Sequence, residues 1–248
     1  MGAGSGGQNP PEILNSPLLA EKLPFCKFTL LKTGLQNLNA FNEPAMTDTE
    51  HSAAEAIIET HPLAPFLPAN GRLLMLGSFP PPKTRWKMDF YYPNFQNDMW
   101  KIFGLCFFQD KNHFLDIENK RFKEQQIRDF LNAKGIGIFD TAYQVIRLKG
   151  NAADKFLQIH TPTDLKMLLE RMPDCRSIMT TGDKATDTLM LSMPESAEKP
   201  VIGASSRTHF AGRDLHLYRM PSSSRAYPLA LEKKAEAYRQ LFMEIGLL

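Results

Sequence analysis

Short apolar runs alternate with segments of helical periodicity along most of this chain, and that alternation is what most constrains its fold. Three runs of strand length read RLLMLG (72–77), IGIF (136–139) and SIM (177–179). Each is followed by turn residues and then by apolar residues at helical spacing. Strands that alternate with helices predict β-α-β crossovers. We therefore expect an α/β fold whose mostly parallel sheet carries helices on both faces.

The rest of the pattern completes that prediction. Helices are predicted over 95–108, 117–132, 164–171, 231–245 and a segment ending at Met190, and further strands over 201–209 and 214–218. The helix over 117–132 is expected to end at Gly135, because glycine commonly terminates helices.

The N-terminal part of the chain differs from this pattern. Residues 1–45 open with MGAGSGGQNPP and lack a clean period, so we predict a flexible extension. Met46 begins an acidic segment with helix-start signals, followed by a turn punctuated by proline. The functional domain is therefore predicted to span 46–248.

Composition limits the classes of protein to consider. Hydrophobic residues make up 43% of the 248, enough for one sizeable core, and the net charge of +2 allows a polyanionic partner without arguing for one. Three cysteines without a framework pattern favour a reducing, cytoplasmic location. No run approaches the roughly 18 apolar residues of a membrane span, and no secretory signal is visible.

Candidate site residues follow from the predicted sheet. In open parallel sheets, ligands bind outside the carboxyl ends of the strands. Four segments fall there: Gly77 to Pro82, Asp140 to Tyr143, Thr180 to Asp183, and Pro221 to Arg225. The first, GSFPPP, is a rigid loop that permits close backbone approach, or simply a stiff strand exit.

A basic and aromatic stretch follows that loop. Its cations and rings are Lys83, Arg85, Trp86, Lys87, Phe90, Tyr91 and Tyr92. Cations beside aromatic rings suit a nucleic acid, because cations meet phosphates while rings stack on an extruded base. The alternative is a basic loop whose aromatic rings fill the core.

Three polar positions complete the candidate set. Asn97, at the start of a predicted helix, either caps that helix or holds a water or a base edge. Asp140 could activate water, stabilise a cationic sugar, or cap the next residues. The hydroxyls of Ser222, Ser223 and Ser224 with Arg225 could form an anion cradle, although serine clusters are common in loops.

In order and separation these segments resemble the motifs of the uracil-DNA glycosylase superfamily over roughly residues 60–245. The matching segments are Gly77-Ser78-Phe79-Pro80, Tyr91-Tyr92, Asn97-Asp98-Met99-Trp100, Gly135 to Asp140, and Pro221 to Ser224. Among its branches the chain is most similar to the mismatch-specific and hypoxanthine-DNA glycosylases.

The resemblance implies a monomeric enzyme with a four-stranded parallel sheet that needs no metal or cofactor and acts on a base flipped out of damaged DNA. It implies that Phe79 or Tyr92 stacks on the base, and that Tyr91 is a third aromatic residue of the base-binding site. Asn97 and Asp140 would carry the catalysis. Contacts to the DNA backbone are expected from Lys83, Arg85 and Ser222 to Ser224, with Arg225 probing the gap in the strand.

Two departures from the motifs bear on specificity. Several branches carry Asp or Asn at the second position of the first motif to position water, where this chain has Ser78, and the last loop lacks the histidine of some branches. We therefore count Ser78 among the catalytic candidates and expect altered specificity. Two alternatives stay open: a non-catalytic protein that binds damaged DNA, and a nucleotide or nucleoside hydrolase on a similar sheet.

Overall fold

The structure is a computed structural model that describes residues 57–149 and 154–248. Its elements in chain order are β1 (Ile58–Thr60), β2 (Leu73–Gly77), α1 (Met99–Phe108), β3 (Leu115–Asp116), β4 (Arg121–Phe122), α2 (Glu124–Lys134), β5 (Ile136–Asp140), β6 (Ala142–Arg147), β7 (Leu157–Pro162), α3 (Leu165–Glu170), β8 (Ser177–Thr181), α4 (Asp183–Met190), β9 (Ala204–Phe210), β10 (Arg213–Met220) and α5 (Leu231–Glu244). Two short 3-10 helices cover Lys83–Arg85 and Asp154–Phe156.

The central sheet confirms the α/β prediction. Its strand order is β5-β2-β8-β10-β9, and the first four strands run parallel. The fifth, β9, pairs antiparallel with β10 at the edge. The four parallel strands are thus as expected, and the β9–β10 hairpin adds one more.

Burial shows that the central strands are covered on both faces. Every residue of β2 and β5 is buried, and so is every residue of β8 after the first. Successive side chains of a strand point to opposite faces, so an unbroken run of buried residues needs a layer on each side. Helix α2 packs against β5, α4 against β8 and α5 against β10, and α1 packs on α5.

A second, three-stranded antiparallel sheet, in the order β1-β6-β7, was not predicted. Its β7 reads LQIHTP, where buried or half-buried positions alternate with exposed ones. That two-residue period marks a strand with one solvated face. A further strand, β1, occupies Ile58–Thr60. The helix expected in the acidic segment that begins at Met46 lies outside the described residues.

Two helix starts were predicted too early, and the first helix, α1, begins at Met99 rather than at 95. Helix α2 begins at Glu124 rather than near 117, because the β3–β4 pairing takes the intervening residues. It ends as expected at Gly135, whose φ of 65° lies in the left-handed region.

The described residues belong to a unit that spans Ala53–Leu248. The extension predicted for 1–45 and the domain start predicted at Met46 lie outside the described residues. Within 57–149 and 154–248, no helix has both the length and the apolar character needed to cross a bilayer.

Candidate functional site

The carboxyl ends of the parallel strands open into a cleft of about 990 Å³. Strands β2 and β5 end side by side at Gly77 and Asp140, and β8 and β10 end side by side at Thr181 and Met220. Parts of all four predicted segments line this cleft. So do Phe79, Tyr92, Asn97, Arg85 and Ser222 to Arg225.

Asp140 is held at the end of β5 by a histidine that sequence reasoning missed. The Nε2 atom of His61 lies 2.9 Å from Asp140 Oδ2, and the two side chains are 0% and 9% exposed. The other ring nitrogen, Nδ1, lies 2.9 Å from the carbonyl oxygen of Leu63 and accepts from the Leu63 backbone N–H at 3.2 Å. The imidazole is therefore fixed at both nitrogens, and it fixes one oxygen of the carboxylate.

The other oxygen of Asp140 explains why residue 77 is a glycine. A Cβ atom at Gly77 would lie 2.3 Å from Asp140 Oδ1 and 3.2 Å from the hydroxyl oxygen of Tyr92. The first distance is a clash, so any side chain here would displace the carboxylate. The glycine thus lets Asp140 Oδ1 and the Tyr92 hydroxyl approach the same point of the cleft.

Tyr92 reaches that point from a strained backbone. Its φ of 52° is unusual for a bulky residue, and its hydroxyl lies 2.9 Å from Thr181 Oγ1. Burial, and next the Asp140 carboxylate, raise the pKa of Tyr92 well above its ordinary value. The phenol is therefore a neutral group that can donate a hydrogen bond.

Tyr91 points into the core instead. It is 2% exposed, its hydroxyl donates to the carbonyl oxygen of Ala64, and its ring packs beside Phe90 and Phe139. Burial raises its pKa as well. The little surface that Tyr91 keeps belongs to the lining of the cleft, beside His61 at 6.1 Å between ring centroids, and its role in base binding stays a prediction.

Phe79 and Ser78 extend the first loop along the cleft. Phe79 is half-buried against Ala142, Val145 and Leu157, and its ring meets His61 edge-on at 5.4 Å between centroids. The Ser78 hydroxyl donates to Asp154 Oδ1 at 2.7 Å.

Asp154 lines the cleft but was not singled out in the sequence. Its residue surface remains exposed, yet the walls around it remove enough water that burial raises the pKa of its carboxyl. The Asp140 charge raises this pKa further, and the hydrogen bond from Ser78 opposes the rise.

Asn97 uses its two amide atoms differently. Its Oδ1 accepts from the backbone N–H of Met99, the first residue of α1, at 2.9 Å. The oxygen thus satisfies one N–H group of the helix start, while the N-cap position itself is Asp98. The amide nitrogen is left as a donor on a residue that lines the cleft.

The serine loop, Pro221 to Arg225, is held by hydrogen bonds between its side chains and its own backbone. Ser222 Oγ accepts from Ser224 N–H, and Ser224 Oγ accepts from Ala226 N–H, each at 3.2 Å. Ser223 is 2% exposed, and its carbonyl oxygen accepts from the Asp98 N–H. The hydroxyl oxygens of Ser222 and Ser224 thus accept within the loop, while their hydrogens remain available as donors.

The basic candidates divide into two groups. Arg85 and Arg225 line the cleft and are exposed. Sequence reasoning missed two further lysines that line it, the exposed Lys155 and the half-buried Lys184. Lys83 is not among the lining residues: its Nζ lies 4.5 Å from the Trp86 ring and 3.7 Å from Asp89 Oδ1.

Solved structures with a similar backbone give an independent view of the fold. A solution NMR structure of a proposed uracil DNA glycosylase from Methanosarcina acetivorans aligns with a TM-score of 0.51 at 20% identity. The alignment covers 77% of this chain and 99% of that chain. The two chains share a fold. No family model and no curated protein matches this sequence.

On that fold, the cleft combines groups of complementary chemistry. Asp140 presents one oxygen, Tyr92 a neutral hydroxyl, Asn97 an amide donor and Phe79 an aromatic ring. A flat heterocycle with carbonyl acceptors fits the ring and the donors. A carboxylate beside it can stabilise positive charge that develops on an attached sugar.

Proposed function

We propose that this chain is a DNA glycosylase, which hydrolyses the N-glycosidic bond of a damaged or deaminated base such as uracil or hypoxanthine. The observation that carries the proposal is the Asp140 carboxylate, fixed by His61 at the floor of a cleft with an aromatic ring and hydrogen-bond donors. The fold shared with a proposed uracil DNA glycosylase supports it.

In this proposal the base enters the cleft after leaving the DNA stack. Phe79 provides a ring on which it stacks, and the Tyr92 hydroxyl and the Asn97 amide nitrogen donate to its carbonyl oxygens. As the bond breaks, negative charge grows on the base, so donors aimed at those oxygens bind the transition state more strongly than the ground state.

Asp140 acts on the other half of the molecule. When the bond to the base lengthens, the sugar gains oxocarbenium character, and a fixed carboxylate stabilises that positive charge. His61 keeps the carboxylate oriented before the substrate arrives, because both of its ring nitrogens are engaged.

Residues at the rim would hold the DNA backbone. Extruding a base costs a few kcal/mol, and phosphate contacts offset that cost. Ser222, Ser224 and Arg225 of the last loop and Arg85 across the cleft are the donors proposed for those phosphates. Lys83 is in the same short 3-10 helix as Arg85 but does not line the cleft, so it would contribute only through longer-range electrostatic attraction.

An incision assay tests the proposal. Duplex and single-stranded oligonucleotides carrying uracil, hypoxanthine or xanthine are incubated with the full chain, and abasic sites are converted to strand breaks. We expect breaks for at least one base. Asp140→Ala should lower turnover far more than DNA affinity.

Asn97→Asp is a sharper variant than Asn97→Ala. It keeps an oxygen that can accept from the Met99 N–H and removes the amide donor, so we expect stability close to wild type together with a large loss of turnover.

The other outcomes identify the alternatives. Affinity for damaged duplex without any abasic product would indicate a non-catalytic damage-binding protein. Cleavage of free nucleosides, with no salt-sensitive affinity for DNA, would indicate a nucleoside hydrolase.

A further inference from the structure

We propose that Asp154 takes the proton from the attacking water, with the Ser78 hydroxyl holding its carboxylate toward the cleft. The inference rests on the proposed glycosylase function and assigns different tasks to Asp140 and Asp154, two of the four aspartates that line the cleft. Asp140 stabilises the sugar cation, and Asp154 activates the nucleophile.

The first loop brings both carboxylates to one place. Asp140 Oδ1 lies against Gly77, where a Cβ would approach it to 2.3 Å. The next residue, Ser78, donates its hydroxyl to Asp154 Oδ1 at 2.7 Å. Consecutive residues of one loop therefore each contact a carboxylate, and both carboxylates line the cleft.

The contacts of the two groups differ in a way that suits two tasks. Asp140 has an oxygen bound to a buried imidazole and is 6% exposed. Asp154 begins the short 3-10 helix before β7, is bound by a hydroxyl and keeps solvent-exposed surface. Of the two, Asp154 is the one that water can approach from the open side of the cleft.

The charges around Asp154 favour a proton acceptor. Asp140 on β5 raises its pKa, in addition to the effect of burial, while the Ser78 hydrogen bond, Lys184 on α4 and Arg147 on β6 oppose the rise. Lys155 is its neighbour in the chain and also lines the cleft. A carboxylate with a raised pKa holds a transferred proton better than an ordinary one and is therefore a better general base.

The step balances without any further reactant. The water oxygen forms a bond to C1′ while the bond from C1′ to the base nitrogen breaks, and its electron pair leaves with the base. One proton of the water passes to Asp154. The departing base anion gains a proton from solvent, and Asp154 later returns its proton to solvent.

Asp154→Asn is the first test. The asparagine oxygen can still accept from Ser78 but cannot take a proton. In single-turnover incision we expect the rate to fall by about 100-fold or more, the usual contribution of a general base, with unchanged DNA affinity. Asp154→Glu should recover part of the rate.

Ser78→Ala gives a readout that a structural role would not move. Activity should rise with pH as Asp154 ionises. The Ser78 hydrogen bond lowers the pKa of Asp154, so its loss should shift this acid limb of the profile to higher pH. Asp154→Asn should flatten the limb.

Stability provides a second readout with a defined sign. The folded pKa of Asp154 is raised, so its stabilising contribution is present below the pKa of a free carboxyl and is lost as pH rises through the folded value. At neutral pH, Asp154→Asn should therefore be at least as stable as wild type. Asp214→Asn, at the start of β10 and away from the cleft, is the matched control and should change neither rate nor profile.

The outcomes separate this inference from the proposed function. Absence of abasic product from wild type with every base tested overturns the glycosylase proposal itself. An active wild type with an equally active Asp154→Asn variant, or a Ser78→Ala profile with an unmoved acid limb, overturns the role of Asp154 alone.

Discussion

Two buried aspartates, Asp140 lining the cleft and Asp98 bonded to the backbone of the lining residue Ser223, are held in contrasting ways. Asp98, just before α1, uses both oxygens: Oδ1 accepts from Lys101 at 3.2 Å and Oδ2 from Lys234 at 3.1 Å. Asp140 has Oδ2 bound to His61, and among the described residues no hydrogen bond engages its Oδ1, which faces Gly77. The two residues are similarly buried, at 7% and 6% exposure.

The difference separates an aspartate with a structural role from one that can bind a ligand or take part in catalysis. A carboxylate with both oxygens engaged can only hold its neighbours together, whereas one with a free oxygen can interact with a ligand. The Asp98 pair does hold the cleft together, since Lys234 also donates to the carbonyl oxygen of Ser224 at 2.8 Å. One turn later on α5, the Tyr238 hydroxyl donates to the carbonyl oxygen of Pro221. Helix α5 thus fixes both ends of the serine loop.

The largest effect on stability should come from breaking the Asp98–Lys234 pair. Lys234→Ala leaves Asp98 and the Ser224 carbonyl without their buried donor, and removing one partner of a buried pair costs about 3–5 kcal/mol. The free energy of unfolding, measured by urea denaturation, should fall by this amount. DNA affinity should fall with it, because the serine loop loses its anchor.

The adjacent lysine is the control. Lys233 forms an exposed pair with Glu236, so Lys233→Ala should leave the free energy of unfolding nearly unchanged. Equal effects of the two substitutions would show that Lys234 does not hold the loop.

Breaking the His61–Asp140 pair, which faces the cleft, should lower stability less than breaking the Lys234–Asp98 pair. It should lower activity more. His61→Leu removes the donor to Asp140 Oδ2, and a hydrogen bond to a charged group is worth about 1.5–3 kcal/mol. The incision rate should fall further than this stability loss implies, because the carboxylate loses its orientation. Thermal unfolding and single-turnover incision measure the two effects.

An exposed pair of the same kind serves for comparison. His209 lies 2.8 Å from Asp214 in the β9–β10 hairpin, with both side chains largely exposed, so His209→Leu should leave stability and incision nearly unchanged. If His61→Leu were fully active, Asp140 would not need its imidazole.

The same contrast explains which features could be predicted from the sequence. The strands that build the cleft are short apolar runs with turn residues after them, and a parallel sheet brings their carboxyl ends to one edge. That rule predicted Phe79, Asp140 and Ser223 at one edge of the sheet, and the resemblance to the glycosylase motifs added Asn97. All four line the cleft. Their catalytic and binding roles stay predictions.

The supporting residues could not be predicted, because their partners are distant in the chain. His61 meets Asp140 across 79 residues, and Lys234 meets Asp98 across 136. Lys234 also lies in the charged run Glu232-Lys233-Lys234, which is typical of a solvated helix face. Only packing of α5 on α1 buries it.

Tyr91 and Tyr92 show the limit at the level of single residues. The sequence offers two adjacent aromatic rings of equal chemistry. The left-handed backbone at Tyr92 directs its hydroxyl toward Thr181 in the cleft, while Tyr91 enters the core. No local pattern distinguishes them, because a positive φ at a tyrosine is imposed by the surrounding fold.

The smallest effect on stability should come from a substitution at Gly77, whose missing side chain leaves space for the free Oδ1 of Asp140. Gly77→Ala forces Asp140 Oδ1 aside, and a displaced rotamer costs about 0.5–1.5 kcal/mol. The incision rate should fall more than stability, since the displaced oxygen is the one proposed to face the sugar. A double-mutant cycle isolates the cause: with Asp140→Ala the obstructing carboxylate is gone, so the stability cost of Gly77→Ala should largely disappear. A cost that persists in that background would assign the glycine to the Tyr92 hydroxyl, 3.2 Å from the Cβ position, or to the backbone of β2 rather than to the carboxylate it faces.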